Sequence, residues 1–272
     1  MIIKAAPDAA EVSKEDVEEL KAISGWASAS PLLIAERIGE EELDEDAIYV
    51  RNGVYAVSIE AFERSLEGDP PLVEVGSTGC FVYIDGEAIR KRREELGLSV
   101  GELARLVGVS RMTIYSYERG KRRTSPSVAY MLEYVLGVPL VIPINPLDAS
   151  GRERREEVER GSLYRYLPTG ILRTVARLLS RLKLKVRAFS RAPFDIMVRC
   201  DGEMLKVALN VIYAGDYDEN RIEATKAFAE LTGFNHLVVG PAEYEGPGNV
   251  VSIRIDELRS MRKPRDFVKL FL

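Results

Sequence analysis

Residues 89–127 read IRKRREELGLSVGELARLVGVSRMTIYSYERGKRRTSPS, and this stretch decides the fold of the middle of the chain. Ile89, Arg93 and Leu96 share one helical face, and Gly97 follows as a C-terminal stop, so a helix is predicted over 87–96. Ser99 and Glu102 stand three apart, as a capping box requires, and open a second helix that carries Leu103, Leu106 and Val107. Gly108 can take the positive φ of a tight turn. Ser110 is a fresh N-cap for a helix over 111–119, which ends at Gly120. That helix turns Ile114 inward and leaves Arg111, Met112, Thr113, Tyr115, Ser116 and Arg119 outward. Ser125-Pro126 opens a last amphipathic helix through Leu136, stopped by Gly137. Two short helices joined by a glycine-containing turn form a helix-turn-helix, here at about 100–119.

The whole segment 86–142 resembles the Cro/C1-type (XRE-like) helix-turn-helix family, with both N-caps, both turn glycines and the Tyr117-Glu-Arg-Gly120 end in place. The resemblance implies that helix 111–119 enters the major groove of double-stranded DNA while helix 100–107 crosses the backbone. By position, Arg111, Met112 and Ser116 fall on base-reading places, and Thr113, Arg119 and Lys121 on phosphate-facing ones; Val100 and Tyr115 complete the expected DNA-binding set. The resemblance also implies an ion pair between Arg93 and Glu118.

Outward from this module the chain repeats. Met1-Ile-Ile-Lys4 answers Glu203-Met-Leu-Lys206, residues 19–37 answer 223–241, and 54–66 answer 250–261. Each copy reads as strand, helix, buried strand, strand, helix. The second copy has more upstream: a helix near 169–182, a strand near 184–190, and an apolar hairpin turning at Asp201-Gly202. This arrangement resembles the restriction-endonuclease-like fold, whose members use an Asp and an acid-x-Lys tripeptide to hold Mg²⁺. Here Asp195 and Lys206 are the matching residues, with Met204 where the second acid belongs; Glu203 falls on the opposite strand face. One carboxylate beside one lysine predicts an Asp195–Lys206 ion pair rather than a metal site. In the first copy the acid's place is Ile2, and neither the helix nor the Asp-bearing strand precedes it. Either the start at Met1 is internal to a longer gene, or the first domain is truncated and leaves a strand edge to be covered by another element.

The expected architecture is therefore multidomain, a central all-α Cro/C1-type bundle flanked by two α/β endonuclease-like domains. Its divisions are 1–80 (incomplete α/β), 86–145 (DNA-binding), 146–162 (charged linker) and 163–272 (α/β). The layout as a whole resembles a family of archaeal transcriptional regulators that combine the two kinds of domain.

Charge supports the division. Residues 1–85 carry 6 basic and 19 acidic groups, a net of −13; 86–145 carry 10 and 6, and 146–272 carry 22 and 18, each +4. A basic segment inside a chain of net charge −5 fits a polyanion-binding module. With 46% hydrophobic residues the chain can bury cores. No apolar run reaches the roughly 18 residues that a bilayer span demands, and MIIKAAPDAAEVSKED is no secretory signal, so a cytoplasmic protein is expected. Cys80 and Cys200 read as two buried thiols, and one His without a cysteine pair argues against zinc. His236 is expected at the surface or at a strand edge, Trp26 in a core with Ile23, and the acidic run Glu40–Asp46 in a solvated loop.

The leading functional reading is a sequence-specific DNA-binding transcription regulator, with no cofactor, no metal and no catalytic residue. One such module reads few base pairs, so a homodimer on a pseudopalindrome is expected, joined through the β-containing domains. The competing readings are a Mg²⁺-dependent structure-specific nuclease and a coactivator-like interaction protein that does not read bases.

Overall fold

A computed structural model describes residues 1–120, 122–148, 170–200, 205–212, 218–241 and 250–272. The chain divides into two compact units, Met1–Glu159 and Arg160–Leu272.

The first unit begins with strand β1 (Ile2–Asp8), helix α1 (Lys14–Ala27) and strand β2 (Pro31–Ile38), the two strands parallel and joined by the helix. A two-residue strand β3 (Glu41–Glu42), a hairpin of β4 (Ala47–Arg51) and β5 (Val54–Val57), helix α2 (Ile59–Glu67) and a second hairpin of β6 (Val73–Gly76) and β7 (Gly79–Ile84) follow. With β8 (Arg122–Thr124) and β9 (Val141–Ile142) joining from later in the chain, the sheet order is β1-β2-β5-β4-β6-β7-β8, with β3 on β2 and β9 on β7. Alternation along the strands feeds two faces. Leu33, Ala35 and Ala56 pack with Val17 and Leu20 of α1, whereas Leu32, Ile48 and Val57 pack with Ala61 of α2 and with Ile144. β1 lies at the sheet edge, pairing only with β2 among the described residues.

Helices α3 (Gly86–Glu95), α4 (Val100–Val107), α5 (Arg111–Glu118) and α6 (Pro126–Leu136) fall where the caps and stops of the sequence put them. The bundle they form is not all-α, which corrects the sequence expectation. Strand β8 (Arg122–Thr124), between α5 and α6, and strand β9 (Val141–Ile142) both pair antiparallel with β7. Val82 and Ile84 of β7 enter the bundle core beside Ile89, Leu103, Ile114, Leu132 and Leu136. The triplet Arg-Arg-Thr looks like loop in sequence; its pairing comes from a strand some forty residues earlier in the chain, a contact with no local signal. Gly86 makes the junction possible: a Cβ there would stand 1.9 Å from the Tyr117 carbonyl oxygen and 2.6 Å from that of Gly120.

The second unit has helix α7 (Ile171–Arg181), antiparallel strands β10 (Lys185–Ala188), β11 (Ile196–Cys200) and β12 (Leu205–Val211), helix α8 (Glu219–Thr232), strands β13 (Asn235–Gly240) and β14 (Val251–Arg254), and short helices α9 (Ile255–Ser260) and α10 (Pro264–Val268). The sheet runs β10-β11-β12-β13-β14, with β12, β13 and β14 mutually parallel. Leu172, Val175 and Leu179 of α7 cover Val198, Leu209 and Leu237 on one face. The Asp201-Gly202 turn and most of the charged stretch expected as a linker lie outside the described residues.

Three smaller expectations are corrected. Cys80 is exposed near a hairpin end, and Cys200, the last residue of its strand, is half-buried at the margin of the second unit's core. Trp26 and Ile23 are half-buried near the end of α1. His236 is neither on the surface nor at an edge: only 9% exposed, it stands in β13, a strand paired on both sides. The acidic run is solvated as expected, apart from buried Leu43, and Arg64 bonds both Asp46 and Asp69 beside it.

Burial, reinforced by Lys226, holds the His236 imidazole down to about 4, against 6.5 for a free group. The folded unit therefore excludes a proton that the unfolded chain accepts, so stability is level above the unfolded value and declines as pH falls through the window down to the folded one. We expect the protection factors of the β12 and β13 amides, taken relative to intrinsic exchange at each pH, to fall between about pH 7 and about pH 5 in the wild type, and His236→Gln to flatten that change. Equal pH responses in the two proteins would assign the titration to another group.

Candidate nucleic-acid interface

The outward row of α5 is held by contacts on its inward side. Ser99 Oγ accepts from the Glu102 amide at 3.2 Å, and the Glu102 carboxylate accepts from the Ser99 amide at 2.8 Å. Hydrogen bonding to the carboxylate by the Ser99 amide, and then by the Ser99 hydroxyl, holds the Glu102 carboxyl below its ordinary value. Gly108 closes α4 with φ of 79°, and Ser110 Oγ then accepts the Thr113 amide at 3.0 Å. Ile114 and Tyr117 face the core, and the Tyr117 hydroxyl is 2.8 Å from Thr124 Oγ1, tying α5 to β8.

The far end of α5 is fixed by charge. Arg93 Nε donates to Glu118 Oε1 at 2.6 Å and Nη2 to Oε2 at 3.1 Å, while Nη1 donates to the Leu98 carbonyl at 2.9 Å. The ion pair implied by the family resemblance is thus present, bidentate and largely buried. Hydrogen bonding to Glu118 raises the Arg93 pKa further above its ordinary value.

On the outer side, Arg111, Met112, Tyr115 and Arg119 are exposed, Met112 at 75% and Tyr115 at 48%. An exposed methionine and tyrosine with an arginine at each end of the row form an uncovered basic-apolar strip, suited to base edges and phosphates. Thr113 and Ser116 are half-buried; the Thr113 hydroxyl lies 2.8 Å from Ser110 Oγ. Val100, also half-buried, packs against the bundle core. Lys121 lies outside the described residues.

Two features escaped sequence reasoning. Arg122 is exposed and folds back along α5, Nε donating to the Ser116 carbonyl at 3.1 Å; strand alternation sends Arg123 the other way, to Glu74 at 3.0 Å and over the Phe81 ring. The basic run in the sequence could not separate these two arginines without the β8 pairing. Gly101, in turn, gives room to Arg111: a Cβ there would lie 2.8 Å from Arg111 Nε, along a groove of about 540 Å³ lined also by Ser99, Glu102 and Arg105.

The nuclease-like residues of the second unit meet differently from the expectation. Asp195 does not pair with Lys206. Its Oδ1 lies 2.8 Å from Arg221 Nη2, and its Oδ2 accepts the Val211 amide at 2.7 Å. The ladder, with Ile196 opposite Leu209, puts Asp195 beside Asn210, while Lys206 stands four residues down the strand with its ammonium 5.5 Å from the Phe234 ring centre. Asn210 Nδ2 donates to the Pro193 carbonyl, and its Oδ1 lies 2.8 Å from His236 Nε2; His236 Nδ1 has no partner among the described residues. Glu203 and Met204 lie outside the described residues. Among the described residues no group of three or more His, Cys, Asp or Glu side chains could hold a metal ion. No helix among them is long and apolar enough to cross a membrane.

Comparison with known proteins finds two family models, both within the first unit. The PD-(D/E)XK superfamily domain matches residues 1–71, and the helix-turn-helix family matches residues 89–142. A protein of Methanocaldococcus jannaschii named as an HTH-type transcriptional regulatory protein is 32% identical, over 96% of this chain and 81% of its own length. A protein of the same name from Methanococcus maripaludis is 30% identical, over 96% of this chain and 82% of its own. One from Pyrococcus horikoshii is 33% identical, over 88% and 72%. No solved structure matches the chain.

Removing one member of a buried ion pair leaves the other uncompensated, at a cost of about 3–5 kcal/mol. Arg93→Ala should therefore lower the unfolding free energy of the first unit by that amount, measured by denaturant titration. A loss no larger than that of the exposed Arg90→Ala would show that the pair does not hold α5.

Proposed function

Since the chain belongs to the family of archaeal HTH-type transcriptional regulatory proteins, we propose that it regulates transcription by laying α5 in the major groove of a specific DNA sequence. The observation that carries this reading is the exposed row Arg111, Met112, Tyr115 and Arg119 on a helix whose inner face and far end are fully engaged. A rigid helix with an uncovered reading face meets the demand of direct readout. Arg111, at the start of α5, is the candidate for a bidentate grip on guanine O6 and N7, and Met112 for apolar contact with a thymine methyl. Ser116 adds a weakly discriminating hydroxyl at a base edge. Arg119, Lys121 and the newly identified Arg122 serve the phosphates, with Thr113 and Val100 at the margin. The PD-(D/E)XK-like parts act as scaffold, and the protein is not an enzyme; the engaged oxygens of Asp195 support this.

In vitro selection of duplexes by the full chain should return one motif. On that motif Arg111→Ala should cost about 1–3 kcal/mol and relax preference at a single base pair. Arg119→Ala and Arg122→Ala should instead weaken all duplexes alike and each reduce the salt slope by about one. Equal losses on specific and random DNA for Arg111→Ala would reassign it to the backbone.

One module covers too few base pairs for a unique site, so the regulator acts as a homodimer on a pseudopalindrome. Sedimentation on the selected duplex should give two chains per site. A single chain on an asymmetric site would refute this arrangement.

A further inference from the structure

The internal repeat can be aligned by hydrogen-bond register rather than by letters. In the first unit Ile3 and Lys4 pair with Leu32 and Leu33, and Leu32 and Ile34 with Tyr55 and Val57. In the second, Leu209 and Asn210 pair with Leu237 and Val238, and Leu237 and Val239 with Val251 and Ile253. The packing faces agree, since Leu32 and Val57 face α2 as Leu237 and Ile253 face α9. Lys4 therefore corresponds to Asn210 and Ile2 to Ala208, four residues beyond the sequence alignment that matched Lys4 with Lys206. The crossover helices α1 and α8 are both 14 residues long, with N-caps Ser13 and Asp218. Their third residues are Asp16 and Arg221.

These two residues do the same thing with opposite charge. Lys4 Nζ lies 2.9 Å from Asp16 Oδ1, and that aspartate is 5% exposed. Arg221 Nη2 lies 2.8 Å from Asp195 Oδ1, an aspartate 7% exposed. The first copy retains the lysine of the endonuclease pattern and the second retains its aspartate. Each is met by a counter-charge from the same place, the first turn of the crossover helix.

We propose that this helix position is a built-in lock: it supplies an internal counter-ion that turns both nuclease-like centres into closed structural ion pairs and excludes a divalent metal from each. The Mg²⁺ that the fold family implies does not fit the second centre. A hard divalent cation needs several oxygens, but Asp195 spends one on a guanidinium and one on a backbone amide, and its neighbours Ala208 and Asn210 bring no charge. The guanidinium also repels a cation directly. In the first centre Ile2 has no oxygen to offer, and Asp16 is engaged by Lys4 and by the Ser13 amide. The inference deepens the non-enzymatic part of the proposed function and rests on that reading.

Two measurements on the full chain test it. Free Mn²⁺ followed by electron paramagnetic resonance should show no saturable uptake by the wild type up to about 1 mM, the weak end of protein sites for hard cations. Saturable uptake that Asp195→Asn abolishes would overturn the proposal without needing any lock variant to fold. Second, in the cycle of Asp195→Asn and Arg221→Gln, the double variant should lose much less melting temperature than the two single losses combined, and Lys4→Met with Asp16→Asn should behave likewise. Additive losses would overturn the lock. Binding of the selected duplex is read in parallel: its failure in the wild type would refute the DNA-reading function, whereas the metal and coupling results judge the lock alone.

Discussion

Strand β7 is the constraint on which the first unit depends. Its backbone pairs with β6 and then β9 along one edge and with β8 along the other, while Val82 and Ile84 complete the core of the helical bundle. A helix-turn-helix of this size has few residues with which to build a core of its own, and small cores are marginal. Merging it with a sheet gives α5 a foundation much wider than its roughly two turns. Buried Glu74 reinforces the seam by accepting bonds from Tyr83, from Arg123 of β8 and, more loosely, from Tyr55; burial and this carboxylate together push the Tyr83 phenol up to about 12.

That foundation separates the two arginines of β8. Arg123 is spent on the seam, while Arg122 lies along α5. The basic cluster that marks the middle of the sequence is thus partly structural. The same holds for Arg93, whose charge is consumed by Glu118. What remains exposed for a polyanion is narrower than composition implies: Arg111 and Arg119 on α5 and Arg122 on β8, with Arg90, Lys91 and Arg105 on α3 and α4.

Both units neutralise a buried carboxylate at the start of a crossover helix: Arg221 of α8 meets Asp195, and Asp16 of α1 meets Lys4. Around Asp195 the other polar groups also pair inward: Asn210 with the Pro193 carbonyl and His236, and Thr225 with Pro193. Such a network orders a buried layer between sheet and helix.

By itself the sequence determined the helices of the DNA-binding segment, because caps, stop glycines and the 3.6-residue period act within a few residues of one another. It also determined the existence of the repeat and the order of its elements. Even the Arg93–Glu118 pair was legible, through resemblance to a family that shares the spacing. Tertiary structure alone decided that Arg122–Thr124 is a strand, that His236 is buried, and that Asn210 rather than Lys206 stands opposite Asp195. Each of these is a matter of which strand pairs with which, and in what register. Strand alternation has a period of two, so a slip of four residues leaves every side chain on its proper face and the pattern unchanged. Only the neighbouring strand, through hydrogen bonds at fixed positions, can tell the two registers apart.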